Sequence, residues 1–103
     1  MNPVQILVVG RHEEIMQTLL RLINANDQWQ ARGTLDDAEA MQLFSAFDFD
    51  MVLLSSGIDE NCEDTLCAYF RANKPLIKII QHYGGGSGLL SNEITQALHN
   101  API

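Results

Sequence analysis

The sequence has few basic residues. Six Lys and Arg stand against thirteen Asp and Glu, which gives a net charge of −7 at pH 7. The bases form no run and are not interleaved with aromatic residues. Because binding to nucleic acid or to an anionic membrane surface depends on clustered Lys and Arg, neither is expected as a partner.

Cysteines and long apolar runs are also scarce. Cys62 and Cys67 form no Cys-x-x-Cys motif and no His/Cys cluster, so we expect two reduced thiols, no metal site and no cofactor. No apolar run approaches the roughly 20 residues that cross a bilayer. The first residues show no basic region followed by an apolar stretch and a cleavage site. We therefore expect a cytoplasmic protein.

The sequence does contain enough apolar material for one folded domain. It has 103 residues, of which 47% are hydrophobic, as in an ordinary globular protein. A chain of this length buries roughly two-thirds of its unfolded surface, so it needs no disulfide or metal to fold. We expect a single domain over residues 1–103.

Short apolar runs alternate with amphipathic segments. The runs Val4–Val9, Met51–Leu54 and Leu76–Ile80 are typical of strands covered on both faces. A shorter strand is predicted at Trp29–Arg32. Apolar residues spaced three or four apart predict helices over about residues 12–25 and 60–72, and another that starts at Asp36. The residues predicted to face the core from these helices are Ile15, Met16, Leu19, Leu20, Leu22, Ile23, Ala40, Met41, Phe44, Phe47, Leu66, Tyr69 and Phe70.

Strands that alternate with helices predict a parallel, doubly wound α/β sheet, here in the order 2-1-3-4. Only about five residues separate the fourth strand from Leu89, too few for another parallel crossover. Leu89 and Leu90 either fold back as a short antiparallel edge strand or lead into a last helix, capped by Ser91 or Asn92. The fourth strand is then an exposed edge, and because proteins often pair or cover such edges we expect a homodimer.

Four stretches resemble the receiver domain of two-component response regulators. Ile6–Val9 and residues 10–14 resemble the first strand and its acidic pair, and Asp50–Ser55 resembles the third strand with its phosphoacceptor. Lys78–Ile80 resembles the fourth strand, and Gly88–Asn92 the short fifth strand with its lysine. The resemblance covers most of residues 4–98. It implies a flavodoxin-like, receiver-like three-layer sandwich, shortened by one helix, and a role in signalling.

The positions that carry phosphorylation in the receiver family hold other residues here. The acidic pair, which holds Mg²⁺ in the family, corresponds to Gly10 and Arg11. The phosphoacceptor position is Ser55, whose hydroxyl is a poor nucleophile without a base. The lysine position is Asn92, which cannot neutralise a phosphoryl group. We therefore expect no Mg²⁺, no aspartyl phosphate and no enzymatic activity.

Ligands of open α/β sheets bind at the carboxyl ends of the strands, near the point where the strand order reverses. Two interpretations of this edge stay open. Either Arg11 and His82 form a pocket for an anion or small ligand, or Arg11 pairs with nearby acids such as those of Asp59–Asp64. The residues of this candidate ligand rim, called the rim below, are Gly10, Arg11, His12, Ser55, Ser56, His82 and Tyr83.

The sequence therefore supports two functions of different kinds. The first is a regulatory module that is not phosphorylated and acts by contact with a protein partner. The second is a sensor that binds a small anion or other ligand at the rim. A nucleophilic Ser55–His82 pair is less favoured, because no Gly-x-Ser-x-Gly turn surrounds Ser55.

Overall fold

A computed structural model describes residues 3–55, 57–82 and 94–96, in which strands alternate with helices. The elements in chain order are β1 (Val4–Val9), α1 (Glu13–Asn24), β2 (Trp29–Thr34), α2 (Asp37–Ala46), β3 (Met51–Ser55), α3 (Glu60–Asn73) and β4 (Lys78–His82). Residues 94–96 are helical as well.

The strands form one parallel sheet in the order β2-β1-β3-β4, which confirms the predicted topology. Successive residues of a strand point to opposite faces, so β1 and β3 supply both sides of the core. On one face Leu7 and Val52 pack with α2 and α3, and on the other Ile6 and Met51 pack with α1 and Ile94. The predicted antiparallel edge at Leu89–Leu90 lies outside the described residues.

The buried strand runs explain why β1 and β3 form the centre of the sheet. Every residue of β3 is buried, as are the last four of β1. The face covered by α2 and α3 is rich in aromatic rings: Phe44 and Phe70 lie 4.6 Å apart between ring centroids. Phe49, in the connection between α2 and β3, is 1% exposed and joins this cluster. Helical spacing could not identify it, because it lies in no helix.

Two helix residues predicted to face the core are exposed instead. Ile15 is 41% exposed, because the buried stripe of α1 runs through Met16, Leu19 and Ile23 and turns Ile15 towards solvent. Phe47 is 42% exposed, since α2 ends at Ala46 and Phe47 is only its C-cap.

The fourth strand begins two residues later than predicted. Pro75 and Leu76 form a turn in which the Ile77 N–H donates to the Lys74 carbonyl at 3.0 Å, and Leu76 is 70% exposed. The strand then continues to His82, in register with Ser55. The apolar run therefore marked the strand but not its first residue.

Candidate functional site

The carboxyl ends of β1 and β3 lie side by side and form the first part of the rim. Val9 pairs with Leu54, which brings Gly10 next to Ser55. A Cβ at Gly10 would lie 3.2 Å from Ser55 Cβ and 3.2 Å from Met16 Cε. These contacts are tighter than ordinary van der Waals packing. A side chain at position 10 therefore requires its neighbours to move.

The loop after β3 packs against the loop after β1. Gly57 has φ +96°, a conformation that favours glycine. A Cβ there would lie 3.1 Å from His12 Nε2 and 3.2 Å from Arg11 Cβ. Gly57 thus lets the two loops meet, and it brings His12 and Arg11 to the same edge of the sheet as Ser55.

The structure describes four of the predicted rim residues in full. Gly10, Arg11, His12 and Ser55 lie together at the carboxyl end of the sheet. The backbone of His82 is level with Ser55 in β4. Asn92, at the lysine position, lies outside the described part of the chain. So do the rim residues Ser56 and Tyr83 and the side chain of His82. Their assignment to the rim stays a prediction.

Arg11 connects the rim to the start of α2. Its Nη2 donates to Asp37 Oδ1 at 2.7 Å, and its Nη1 donates to the carbonyls of Gly10 at 3.0 Å and Leu35 at 3.3 Å. The pairing of Arg11 with an acid agrees with one of the two interpretations. The acid, however, is Asp37 and not one of the acids of Asp59–Asp64. The first turn of α2 supplies it because Gly10 donates its N–H to the Thr34 carbonyl, which places the end of β2, and with it the start of α2, beside the end of β1.

The electrostatics of Arg11 follow from this position. Its side chain is 26% exposed, and burial by itself disfavours the charged guanidinium. The hydrogen bond and negative charge of Asp37 outweigh that burial, so the pKa of Arg11 is raised. The guanidinium is therefore a permanent cation at the rim, fixed by one carboxylate and two backbone carbonyls.

The acid at the start of α3 binds its own helix. Asp59 is the N-cap: its Oδ1 accepts the Cys62 N–H at 2.8 Å, and the Cys62 thiol donates to Oδ2 at 3.6 Å. The backbone N–H of Cys62 and its thiol lower the pKa of Asp59, with a smaller contribution from the charge of Arg11. The same carboxylate raises the pKa of the Cys62 thiol. Cys62 and Cys67 are both free.

Ser55 is not prepared for nucleophilic chemistry by any described side chain. It is 4% exposed. None of the hydrogen bonds that the described aspartates form involves its hydroxyl, so no aspartate is placed to remove its proton. The Ser55–His82 pair stays a prediction, because the structure describes only the backbone of His82.

The sequence analysis missed Asp37 and Gly57 as parts of this site. Asp37 belongs to the acidic first turn of α2, which the sequence shows as Asp36-Asp37, but its pairing with Arg11 depends on where β2 ends. Gly57 was visible as the glycine after a buried strand. Only the three-dimensional structure shows that it lies against His12.

The fold is that of response-regulator receiver domains. A signal receiver domain of an HD domain-containing protein from Pseudomonas fluorescens Pf-5 matches with a TM-score of 0.82 at 20% identity, over 95% of this chain and 96% of that chain. A receiver domain from Clostridium thermocellum matches with a TM-score of 0.68 at 19% identity, over 95% and 77%. A CheY-like receiver domain from Methylobacillus flagellatus matches with a TM-score of 0.67 at 14% identity, over 93% and 99%. No protein-family model and no curated protein matches the sequence.

The described residues of the rim do not fit the Mg²⁺ ion that the receiver fold implies at this edge. Mg²⁺ takes octahedral oxygen ligands, usually carboxylates and waters. Gly10 offers no side chain, Arg11 is a cation, and Ser55 offers only a hydroxyl. Within the described ranges, no three His, Cys, Asp or Glu side chains are grouped to hold a metal ion. The same ranges contain no helix with the length and apolar character of a membrane span.

Proposed function

We propose that this protein is a receiver-like regulatory module that acts through contacts with other proteins, without aspartyl phosphorylation and without catalysis. The single observation that carries the proposal is the Arg11 guanidinium, bound to Asp37 and to two loop carbonyls where receiver domains use an acidic pair. We place the module in the cytoplasm and assign it residues 1–103 as one domain.

The electrostatics of the rim support this proposal. Phosphorylation of a carboxylate needs a metal ion that gathers the negative charge of the phosphoryl group. The Arg11 cation occupies this edge, and its pKa is raised, so it carries its charge at every physiological pH. Within the described ranges, no three His, Cys, Asp or Glu side chains are grouped to hold a metal ion, and the carboxylate of Asp37 is already paired with Arg11.

We also propose that two copies associate through the side of the sheet that carries β4. Ile79 and Ile80 are only partly buried, one on each face of the sheet. A second strand edge or helix placed against them would complete their burial. Light scattering over a range of protein concentrations tests this, with Ile79→Lys as the variant and Ile15→Lys, on exposed α1, as the matched control. A dimer that only Ile79→Lys dissociates is expected, and a monomer at high concentration would contradict it.

The main experiment exposes the protein to a small-molecule phosphodonor with Mg²⁺ and measures its intact mass. A phosphorylatable receiver domain serves as the positive control. The expected result is an unmodified protein. Formation of a stoichiometric acid-labile phosphate would overturn the proposal, and acid-stable phosphate on Ser55 would overturn it equally.

The second candidate function is a sensor of small anions at the rim. It is favoured by the exposed His12 side chain and by the part of Arg11 that reaches solvent. Asp37 competes with any such anion for the guanidinium. A thermal-shift screen of phosphates, nucleotides and carboxylates, with Arg11→Ala as control, tests it. A stabilisation that disappears in the variant would favour the sensor.

A further inference from the structure

An open groove of about 350 Å³ runs between α1 and the end of β2. Its apolar surface comes from Met16, Leu20 and Leu35, and Leu35 is 38% exposed. Gly33 lies at its base, where a Cβ would collide with Met16 Sδ and lie 3.0 Å from Leu20 Cδ1. Because position 33 has no side chain, α1 packs closely over the strand, and the groove ends on bare backbone.

The strand beneath this groove is an edge of the sheet. The carbonyl of Gln28 accepts the N–H of Val4, and the carbonyl of Thr34 accepts the N–H of Gly10. The even-numbered residues of this segment therefore point their backbone groups at β1, and the odd-numbered residues point theirs outwards.

Most of that outer edge is already closed by local hydrogen bonds. The N–H of Trp29 donates to the Asn26 carbonyl at 3.0 Å. At Ala31, the N–H donates to Asn24 Oδ1 at 2.8 Å and the carbonyl accepts from Asn24 Nδ2 at 3.4 Å. At Gly33, no group in the described part of the chain pairs with the outward N–H and carbonyl. The edge is thus open at the one position that adjoins the groove.

The walls of the groove are negative. Glu13, Asp36 and Glu39 line it, and no Lys or Arg does. Neither Glu13 nor Glu39 forms an ion pair with any residue that the structure describes. A second copy of this chain is a poor occupant, since the protein carries a net charge of −7 and would present more acid to acid.

We infer that the groove binds an extended, positively charged segment of a partner protein. The segment adds as a short strand to the open edge at Gly33, places one apolar side chain against Leu20 and Leu35, and directs Lys or Arg towards Glu13 and Glu39. This mode gives affinity through backbone hydrogen bonds and specificity through alternate side chains. The inference deepens the proposed function because it names the chemistry of the partner, and it rests on the protein-contact part of that proposal.

The test uses a labelled octapeptide of alternating valine and lysine, with a peptide of alternating valine and glutamate as its control. Binding is measured by fluorescence anisotropy at low salt and located by ¹⁵N NMR. The expected result is saturable binding of the lysine peptide only, with the largest shift at the Gly33 amide. Equal binding of both peptides, or shifts that leave Gly33 unchanged, would overturn the inference.

Matched variants test which acidic side chains contribute to binding of the lysine peptide. We expect Glu13→Gln with Glu39→Gln to weaken binding about tenfold, since two exposed charge pairs are lost. Glu60→Gln with Asp64→Asn removes the same charge from exposed positions on α3 and should leave affinity unchanged. If both double variants weaken binding equally, only net charge matters and the groove is not the site. A dimer contact that covers Gly33 in the absence of peptide would also overturn the inference, whereas phosphorylation of the rim bears only on the proposed function.

Discussion

Each end of the parallel sheet has an ion pair among the residues that the structure describes, and the two pairs differ in their exposure to solvent. At the carboxyl end, Arg11 Nη2 lies 2.7 Å from Asp37 Oδ1, and the two side chains are 26% and 29% exposed. At the amino end, Lys74 Nζ lies 2.6 Å from Asp48 Oδ1, and the two side chains are 35% and 91% exposed. Water screens the second pair far more than the first, so equal distances do not mean equal contributions to stability.

The two cations also differ in what they connect. Arg11 donates to carbonyls at Gly10 and Leu35, so it ties the β1–α1 loop to the β2–α2 loop. Lys74 has one backbone acceptor besides its ion pair, the Phe49 carbonyl. The carboxyl end of the sheet is therefore held by the cation that connects two loops through their backbone carbonyls. This contrast leads to predictions that differ for the two ends.

The largest effect is expected from an acid placed at the family position next to Ser55. Gly10→Asp should destabilise the protein by about 2–3 kcal/mol, because its side chain must displace Met16 or Ser55. Urea unfolding measures this. Gln28→Asp adds the same charge at an exposed position near the amino end and should cost less than about 0.5 kcal/mol. A Gly10→Asp protein as stable as the unmodified one would show that the rim has room for a metal ligand.

Removal of the carboxyl-end cation should have the next largest effect. Arg11→Met is expected to lower the free energy of unfolding by about 2 kcal/mol, since it leaves Asp37 and two loop carbonyls without their donor. Arg11→Lys should recover only part of this, because an ammonium cannot reach three acceptors with the fixed fork of a guanidinium. Full recovery by lysine would mean that charge alone matters at this position.

The amino-end cation should matter less. Lys74→Met is expected to cost under about 1 kcal/mol, and the cost should shrink with added salt because Asp48 is almost fully exposed. The comparison of Arg11→Met with Lys74→Met in low and high salt measures the contrast directly. If both substitutions lowered the free energy of unfolding equally and with the same salt dependence, the two ion pairs would not differ in their contribution to stability.

The smallest effect concerns pH. Hydrogen bonds from Cys62 hold the pKa of Asp59 below its unfolded value, so the folded state binds fewer protons there. The stability contributed by the ionised carboxylate is thus present above the unfolded pKa and is lost as the pH falls through the folded pKa. Asp59→Asn should flatten the fall in stability in this acidic window and change little near neutral pH. If the free energy of unfolding fell with pH in Asp59→Asn as steeply as in the unmodified protein, ionisation of Asp59 would not contribute to stability as described.

The arrangement of strands could be predicted because it depends on local patterns. Val4–Val9 was predicted with the bounds that the structure shows, since the apolar run has the length of a strand and ends at Gly10. The predicted start of β4 was wrong because the first residue of the apolar run, Leu76, lies in the turn formed with Pro75. The prediction that Phe47 faces the core was wrong because spacing alone does not show where a helix ends.

The rim could be predicted only in part. That Arg11 and Ser55 share one edge followed from strand order, because carboxyl ends of parallel strands meet. The identity of the Arg11 partner did not follow: both β2 and β3 pair with β1, so strand order does not separate Asp37, after β2, from the acids of Asp59–Asp64, after β3. Which of them the guanidinium reaches depends on loop lengths and on the N-cap role of Asp59, and these are tertiary details.

The central claim of the proposed function is that the described residues at the carboxyl end of this sheet form no divalent-cation site. A ¹⁵N NMR titration with MgCl₂, corrected by a KCl titration at matched ionic strength, tests it at the amides of Gly10, Arg11 and Ser55. The account predicts that these amides shift no more with Mg²⁺ than with K⁺. Saturable shifts at Gly10 and Ser55 that appear only with Mg²⁺ would contradict it.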